Sequence, residues 1–169
     1  FMLPLAKIMM GLNQNLVKIE TSKAFTPLEK QVVGMIHRLV YQEDDKFYRN
    51  WTQSIDRSFG IVCSGGTVAN ICALWVARNR FLGPNVKNDG KFKGVACEGI
   101  IAGLRHHGLD DLAILVSKRH PYSFSKAADL LGLGEDKVIA IPPRDNYKVD
   151  LKAMGHHVVE VRGQNIGIM

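Results

Sequence analysis

Phe59-Gly60-Ile61-Val62-Cys63-Ser64-Gly65-Gly66-Thr67-Val68-Ala69-Asn70-Ile71-Cys72-Ala73-Leu74-Trp75-Val76-Ala77-Arg78-Asn79-Arg80 is the stretch on which the fold turns. Phe59 to Cys63 is a compact apolar run, which predicts a strand, and Ser64-Gly65-Gly66-Thr67 breaks it. Beyond the break, Val68, Ile71, Cys72, Trp75 and Val76 recur at spacings of three and four. That period predicts an amphipathic helix over 67–81, with Trp75 in the core. In open α/β sheets, ligands sit beyond the carboxyl ends of strands, which is where this glycine turn falls. Glycines let backbone approach an anion closely, and the unpaired N–H groups at a helix start donate to it. Thr67 adds a hydroxyl, so the chemistry points to phosphate binding. A turn that takes glycine only for its dihedral angles accounts for the same residues equally well. The turn is neither a Walker loop, since no Gly-Lys-Ser/Thr follows, nor a dinucleotide fingerprint, since GxGxxG is absent.

Toward the N-terminus, Leu5, Ile8, Met9, Leu12 and Leu16 predict a helix over 3–18. Thr26-Pro27-Leu28-Glu29 reads as another helix start, with Thr26 as N-cap, Pro27 in the first turn and Glu29 completing a capping box. That helix continues through Val32, Ile36, Leu39 and Val40. Residues 42–58 are polar and charged, and read as a loop with a short turn.

Toward the C-terminus, residues 83–93 carry the glycine, proline and asparagine of a surface loop. A helix over 98–107 ends at Gly108, which suits a left-handed C-cap. Leu112-Ala113-Ile114-Leu115-Val116 is wholly apolar, as a parallel strand buried on both faces requires. A helix over 123–132 ends at Gly132 and Gly134, and Val138 to Ile141 reads as a strand stopped by Pro142 and Pro143. A helix over 150–155 and strand-like residues from Val158 complete the pattern. Strands alternating with helices predict an α/β fold: a mostly parallel sheet, helices on both faces and right-handed crossovers. No internal repeat and no dividing linker is evident.

The composition agrees with a packed α/β protein. Of 169 residues, 46% are hydrophobic, 22% charged and 8% aromatic, which excludes disordered, collagen-like and low-complexity classes. No stretch approaches the roughly 18–20 apolar residues of a membrane span, and Lys7 interrupts the short opening run, so no membrane association is expected. The excess of 22 Lys and Arg over 16 Asp and Glu is scattered rather than gathered in a stripe. Without a readable motif, no nucleic-acid partner is expected. Cys63, Cys72 and Cys97 form no CxxC pair and no even set, which points to a reducing, cytoplasmic setting. The chain starts at Phe1 and stops at Ile166-Gly167-Ile168-Met169, inside predicted strand, and is expected to be a piece of something longer.

Few other side chains carry chemistry. His120 follows the strand at 112–116 and so falls on the same edge of the sheet as the glycine turn. It could stack on an aromatic ligand or move a proton, although a lone loop histidine is more commonly a surface residue. His106-His107 and His156-His157 diverge on a helix, so no metal site is expected. Cys63 reads as a small core hydrophobe, and no GxSxG elbow is present.

Four stretches resemble the group II pyridoxal-phosphate-dependent amino-acid decarboxylases, which include enzymes for glutamate, aspartate, diaminobutyrate and aromatic amino acids. They are Leu12-Asn13-Gln14-Asn15, Thr26-Pro27-Leu28-Glu29, the block from Cys63 to Arg80, and the block from Ser123 to Ile141. Cys63 to Arg80 resembles the family's SGGTxAN phosphate-binding turn, with a particular likeness to its bacterial aspartate or glutamate branch. Ser123 to Ile141 resembles its KAAxxLGLG helix. Order and spacing agree over essentially the whole chain.

The resemblance implies the large domain of a fold type I pyridoxal-phosphate enzyme, as one partial domain: N-terminal helices over 1–58, then a cofactor-binding portion over 59–169. It implies that Gly65, Gly66 and Thr67 hold the phosphate of pyridoxal 5'-phosphate, and that His120 is the catalytic ring stacked on its pyridine. The family pattern there is Ser-x-x-x-His, whereas Ser117 is followed by His120 two residues later and Pro121 takes the expected place. The family's cofactor-bonding lysine, in Ser-x-x-His-Lys, its GTT turn and its pyridinium-pairing aspartate are absent from these 169 residues. The implied reaction is decarboxylation of a small-molecule amino-acid substrate, glutamate or aspartate, by a homodimeric parent. This chain alone is expected to be inactive. An aminotransferase-like enzyme of the same fold and a non-catalytic fragment are the alternatives.

Overall fold

The computed structural model describes residues 3–4, 7–8, 19–84 and 91–169. The helix expected over 3–18 falls outside the described residues except at Leu3, Pro4, Lys7 and Ile8, which are helical. Residues 85–90 of the expected 83–93 loop also fall outside them. The chain forms two compact units, Phe1–Cys63 and Ser64–Met169.

The first unit is helical, with α1 (Ile19–Ser22), α2 (Phe25–Tyr41) and α3 (Asp45–Trp51). Thr26 is not the cap of α2. Ala24 holds that position, without a side-chain bond, and its carbonyl accepts from the Leu28 N–H at 3.1 Å. The Thr26 hydroxyl lies 2.5 Å from that of Ser22, which is fully buried. Gln42 ends α2 in the left-handed conformation at φ 53°.

Helix α3 occupies part of the segment read as a loop. Asp44 caps it, accepting from the Phe47 N–H at 2.6 Å, and its aromatic residues gather around His37. The imidazole lies 4.5 Å from the ring of Phe59 and 6.0 Å from that of Phe47, and its Nδ1 is 3.0 Å from the Tyr48 hydroxyl.

Phe59 to Cys63 is not a strand. Ile61 and Val62 are 59% and 65% exposed, and the segment joins no ladder among the described residues. A strand needs a neighbour for its N–H and C=O groups. Here Phe59 is instead drawn into the aromatic cluster, and the Val62 N–H donates to Glu29 Oε1 at 3.0 Å.

The second unit contains α4 (Gly66–Phe81), α5 (Val95–His107), β1 (Asp111–Ser117), α6 (Ser123–Leu130), β2 (Val138–Ile141), α7 (Leu151–Gly163) and β3 (Ile166–Ile168). Its sheet has three parallel strands in the order β2-β1-β3. Ile114 faces Val138 in one register and Leu112 faces Gly167 in the other. Central strand β1 buries Leu112, Ala113 and Ile114, as its unbroken apolar run requires. Around it pack Leu74, Leu82, Val95, Ala127, Ala128, Leu131 and Leu133.

Glycines close the helices where expected. Gly108 ends α5 at φ 65°, and Gly132 and Gly134 follow α6 at φ 73° and 89°. Helix α5 begins earlier than expected, at Val95, but kinks at Gly99 (φ 83°). The final helix is longer than expected. Val158, Val159 and Val161, read as the start of a strand, belong to α7, of which only Val161 is buried. Its cap is Asp150, whose carboxylate accepts from the Lys152 and Ala153 N–H groups at 2.9 and 3.3 Å. No helix among the described residues is long and apolar enough to cross a membrane.

Candidate functional site

Helix α4 meets the core with only part of the face that its hydrophobic period predicts: Ile71 packs against the core, but its later apolar positions do not. Trp75 is 51% and Val76 64% exposed, whereas Leu74 is buried. The packed edge runs along 70, 74 and 78, four residues apart and hence on one helical face. At its start Asn70 Nδ2 donates to Ser123 Oγ at 2.8 Å, and at its end Arg78 Nη1 donates to the Leu131 carbonyl at 3.1 Å. The apolar contact between α4 and α6 is thus bracketed by two hydrogen bonds. A hydrophobic pattern cannot show them, because their donors are polar.

Gly65 and Gly66 stand at the opening of α4. Gly65 is the N-cap in extended backbone (φ 172°), and Gly66 is the first helical residue. Neither lies in the left-handed region that favours glycine, so the turn does not require glycine for its dihedral angles. A Cβ built at either position meets nothing within 4 Å. Packing among the described residues therefore does not require glycine there either. What the two hydrogens leave clear is the approach to the helix start from outside, where Ser64, Gly65 and Gly66 are exposed and Thr67 is half-buried.

The first turn carries no acidic residue, and Arg78 and Arg80 lie in the last, so the charges along α4 suit its dipole. The opening is uncovered, electropositive and lined with N–H groups, and these features fit an anion such as a phosphate.

His120 sits in the turn that leaves β1. Its backbone N–H donates to the Ser117 carbonyl at 2.8 Å, and its Nδ1 lies 2.9 Å from the same oxygen. A carbonyl only accepts, so Nδ1 is the donor in that contact. The ring is half-buried, with the edge of Phe124 6.1 Å away between centroids. Pro121 follows, and its carbonyl accepts from the Phe124 N–H at 3.2 Å as α6 begins.

The Asn70–Ser123 bond joins the helix carrying the glycine turn to the one that starts three residues after His120. Ser123 is 2% exposed, so this bond is shielded from water. The segments bearing Gly65, Gly66, Thr67 and His120 are held by one scaffold. The sequence places Asn70 in the SGGTxAN pattern and Ser123 at the head of the second block, but nothing in it pairs the two. The signal available was that Asn70 follows Thr67 by three residues and so sits about one helical turn further on.

No family model matches the chain. The chain is 54% identical over 166 residues, 98% of its length, to aspartate 1-decarboxylase of Aliivibrio fischeri. It is 26% identical over 170 residues, 84% of its length, to L-tyrosine decarboxylase of Levilactobacillus brevis. It spans 30% and 25% of those two relatives respectively. The crystal structure of mouse CSAD matches 97% of the chain with a TM-score of 0.70 at 22% identity, the chain covering 28% of it. The glutamate decarboxylase domain of diaminobutyrate-pyruvate transaminase and L-2,4-diaminobutyrate decarboxylase from Vibrio parahaemolyticus matches 95% with a TM-score of 0.62 at 21% identity, the chain covering 30% of it. At those identities the structural likeness is one of fold, and it agrees with the α/β architecture described above.

Proposed function

We propose that this homologue of the amino-acid decarboxylases is the cofactor-cradling portion of a pyridoxal-phosphate-dependent carboxy-lyase acting on an acidic amino acid, aspartate or glutamate. The observation that carries the proposal is the 54% identity over 98% of the chain to an aspartate 1-decarboxylase. The chain spans 30% of that relative's length, so the activity is proposed for the full-length protein. The domain reading belongs to the same proposal: one partial domain, helices over 1–58 and a cofactor-binding portion over 59–169. A cytoplasmic homodimer completes it.

When bound, pyridoxal 5'-phosphate supplies an electron-withdrawing ring that spreads the negative charge left on a carbon as its carboxylate departs. The work of this chain's residues is to hold and orient. In the proposal, the N–H groups around Gly65 and Gly66 and the Thr67 hydroxyl bind the phosphate. The hydrogens at 65 and 66 are what allow the close approach. Asn70, through Ser123, fixes α4 against α6 so that the cradle stays in register with the turn bearing His120. His120 offers a flat ring to the cofactor, with its Nδ1 proton committed to the Ser117 carbonyl.

The test supplies the full-length protein with pyridoxal 5'-phosphate and each common amino acid, and measures carbon dioxide and keto acid. Carbon dioxide from aspartate or glutamate is the expected result. Release from neither, or keto acid in its place, rejects the decarboxylase reading in favour of a non-catalytic or aminotransferase-like protein.

A further inference from the structure

Tyr147 is a bulky residue in a conformation that favours glycine or asparagine. Its φ is 63°, and it is the last loop residue of a tight hairpin whose turn centres on Asp145 and Asn146. The hairpin leaves the end of β2 and is built firmly. Pro143 and Val149 form an antiparallel bridge, and the Arg144 N–H donates to the Lys148 carbonyl at 2.8 Å. An ion pair between Arg144 and Asp150 at 3.7 Å ties its base to the cap of α7.

The strained residue makes a contact. The guanidinium of Arg119 lies 4.3 Å from the centre of the Tyr147 ring. Arg119 precedes His120 in the turn leaving β1. The residue before it, Lys118, donates its N–H to the Ile141 carbonyl at 2.8 Å. The His120 turn is therefore held on the β2 side twice, by backbone at Lys118 and by a cation–π contact at Arg119.

From this geometry we infer that Tyr147 is a positioning residue, a strut that acts through Arg119 to keep the His120 ring in place for the cofactor. The inference rests on the proposed role of His120. A cation over an exposed aromatic ring shifts an equilibrium by about two- to fivefold, and that is the size of effect expected.

The experiment has two arms on the full-length protein. In the first, without cofactor, amide hydrogen exchange is followed at Lys118 and His120 in the wild type, Y147A, R119Q and Y147F. Exchange should speed up about two- to fivefold in Y147A and R119Q and stay unchanged in Y147F, which keeps the ring face. In the second, pyridoxal 5'-phosphate is titrated into the wild type, Y147A, H120A and the double variant. Affinity should fall about two- to fivefold in Y147A, and that loss should vanish in the H120A background, as expected of a residue acting through His120.

Unchanged exchange in Y147A, with H120A still costing affinity, overturns the strut and leaves the reading of His120 standing. Faster exchange in Y147A, with H120A leaving affinity unchanged, overturns the role of His120 and the positioning function with it. A loss in Y147A that persists in the H120A background also overturns the inference, because Tyr147 would then act by another route.

Discussion

Replacing Gly66 by Ala separates what the glycine does for the fold from what it does for a ligand. Gly66 is the first residue of α4, its φ is not positive, and a Cβ there meets nothing within 4 Å. Alanine therefore fits the native backbone without a clash. Where that holds, the change stabilises a protein by about 0.4–1 kcal/mol, chiefly by restricting the unfolded chain. The same methyl stands in the open approach to the helix start. If it displaces one charge-assisted hydrogen bond to phosphate, the loss is about 1.5–3 kcal/mol, or roughly 10- to 150-fold in affinity.

The two effects have opposite signs, which makes the variant informative. The assay pairs a urea unfolding curve of the cofactor-free full-length protein with a titration of pyridoxal 5'-phosphate into the same preparation. G66A should unfold at equal or higher urea and bind the cofactor at least about tenfold more weakly. An unchanged affinity would refute the cradle. A clear loss of stability would refute the other premise, that packing within the protein leaves position 66 free.

At Gly167, by contrast, alanine should destabilise. Its Cβ would lie 2.7 Å from Phe81 Cε1, 2.8 Å from Leu112 Cδ2 and 3.0 Å from Leu109 Cδ1. Overpacking of that kind costs about 1–3 kcal/mol, read as a lower urea midpoint for G167A. N70A should cost about 1–3 kcal/mol, because it leaves the buried Ser123 hydroxyl without its partner. A thermal melt checks this, and a midpoint within error of wild type would contradict the bracketing of α4 on α6. Asp150 carries a pH signature. The backbone N–H groups of Lys152 and Ala153, with Arg144 adding attraction, hold its carboxyl below the usual value of 3.8. A lowered folded pKa means that this contribution is present at neutral pH and is lost as pH falls below about 4 through the folded value. D150A should therefore unfold earlier than wild type at pH 7, and the gap should narrow in urea titrations at pH 3.

How much of this was legible depends on which neighbours each residue type requires. The strand at 112–116 could be read because burial on both faces demands an unbroken apolar run. Gly108, Gly132 and Gly134 could be read because their positive φ is a local demand. The run from Phe59 to Cys63 looked equally apolar but joins no ladder among the described residues, since a strand exists only where another meets its backbone. The seven residues of helix α3 include Phe47, Tyr48 and Trp51, but they span too few turns for a helical period to stand out. Its Asp44 cap was visible, but the cluster of His37, Phe47, Tyr48 and Phe59 that holds it is tertiary. Val158 and Val159 have strand propensity, yet the cap at Asp150 starts a helix that runs through them to Gly163.

By itself, the sequence determined the α/β class, the central strand, the glycine-closed ends of two helices and the presence of a Ser-Gly-Gly-Thr turn, because each follows from local dihedral demands or from one element's own burial. Its motifs also marked the relationship to the decarboxylases, borne out by the 54% identity. Only the tertiary structure decided that neither a left-handed φ nor packing among the described residues demands glycine at 65 and 66. Dihedral demand and ligand approach predict the same residues, and they separate once φ and the empty space around each Cβ are known. It also decided which side of α4 faces inward. The pattern favoured Trp75 and Val76, but hydrogen bonds from Asn70 and Arg78 to residues 53 positions away turn the helix onto Leu74. Such bonds depend on where two distant segments meet in space, and no spacing along the chain encodes that directly.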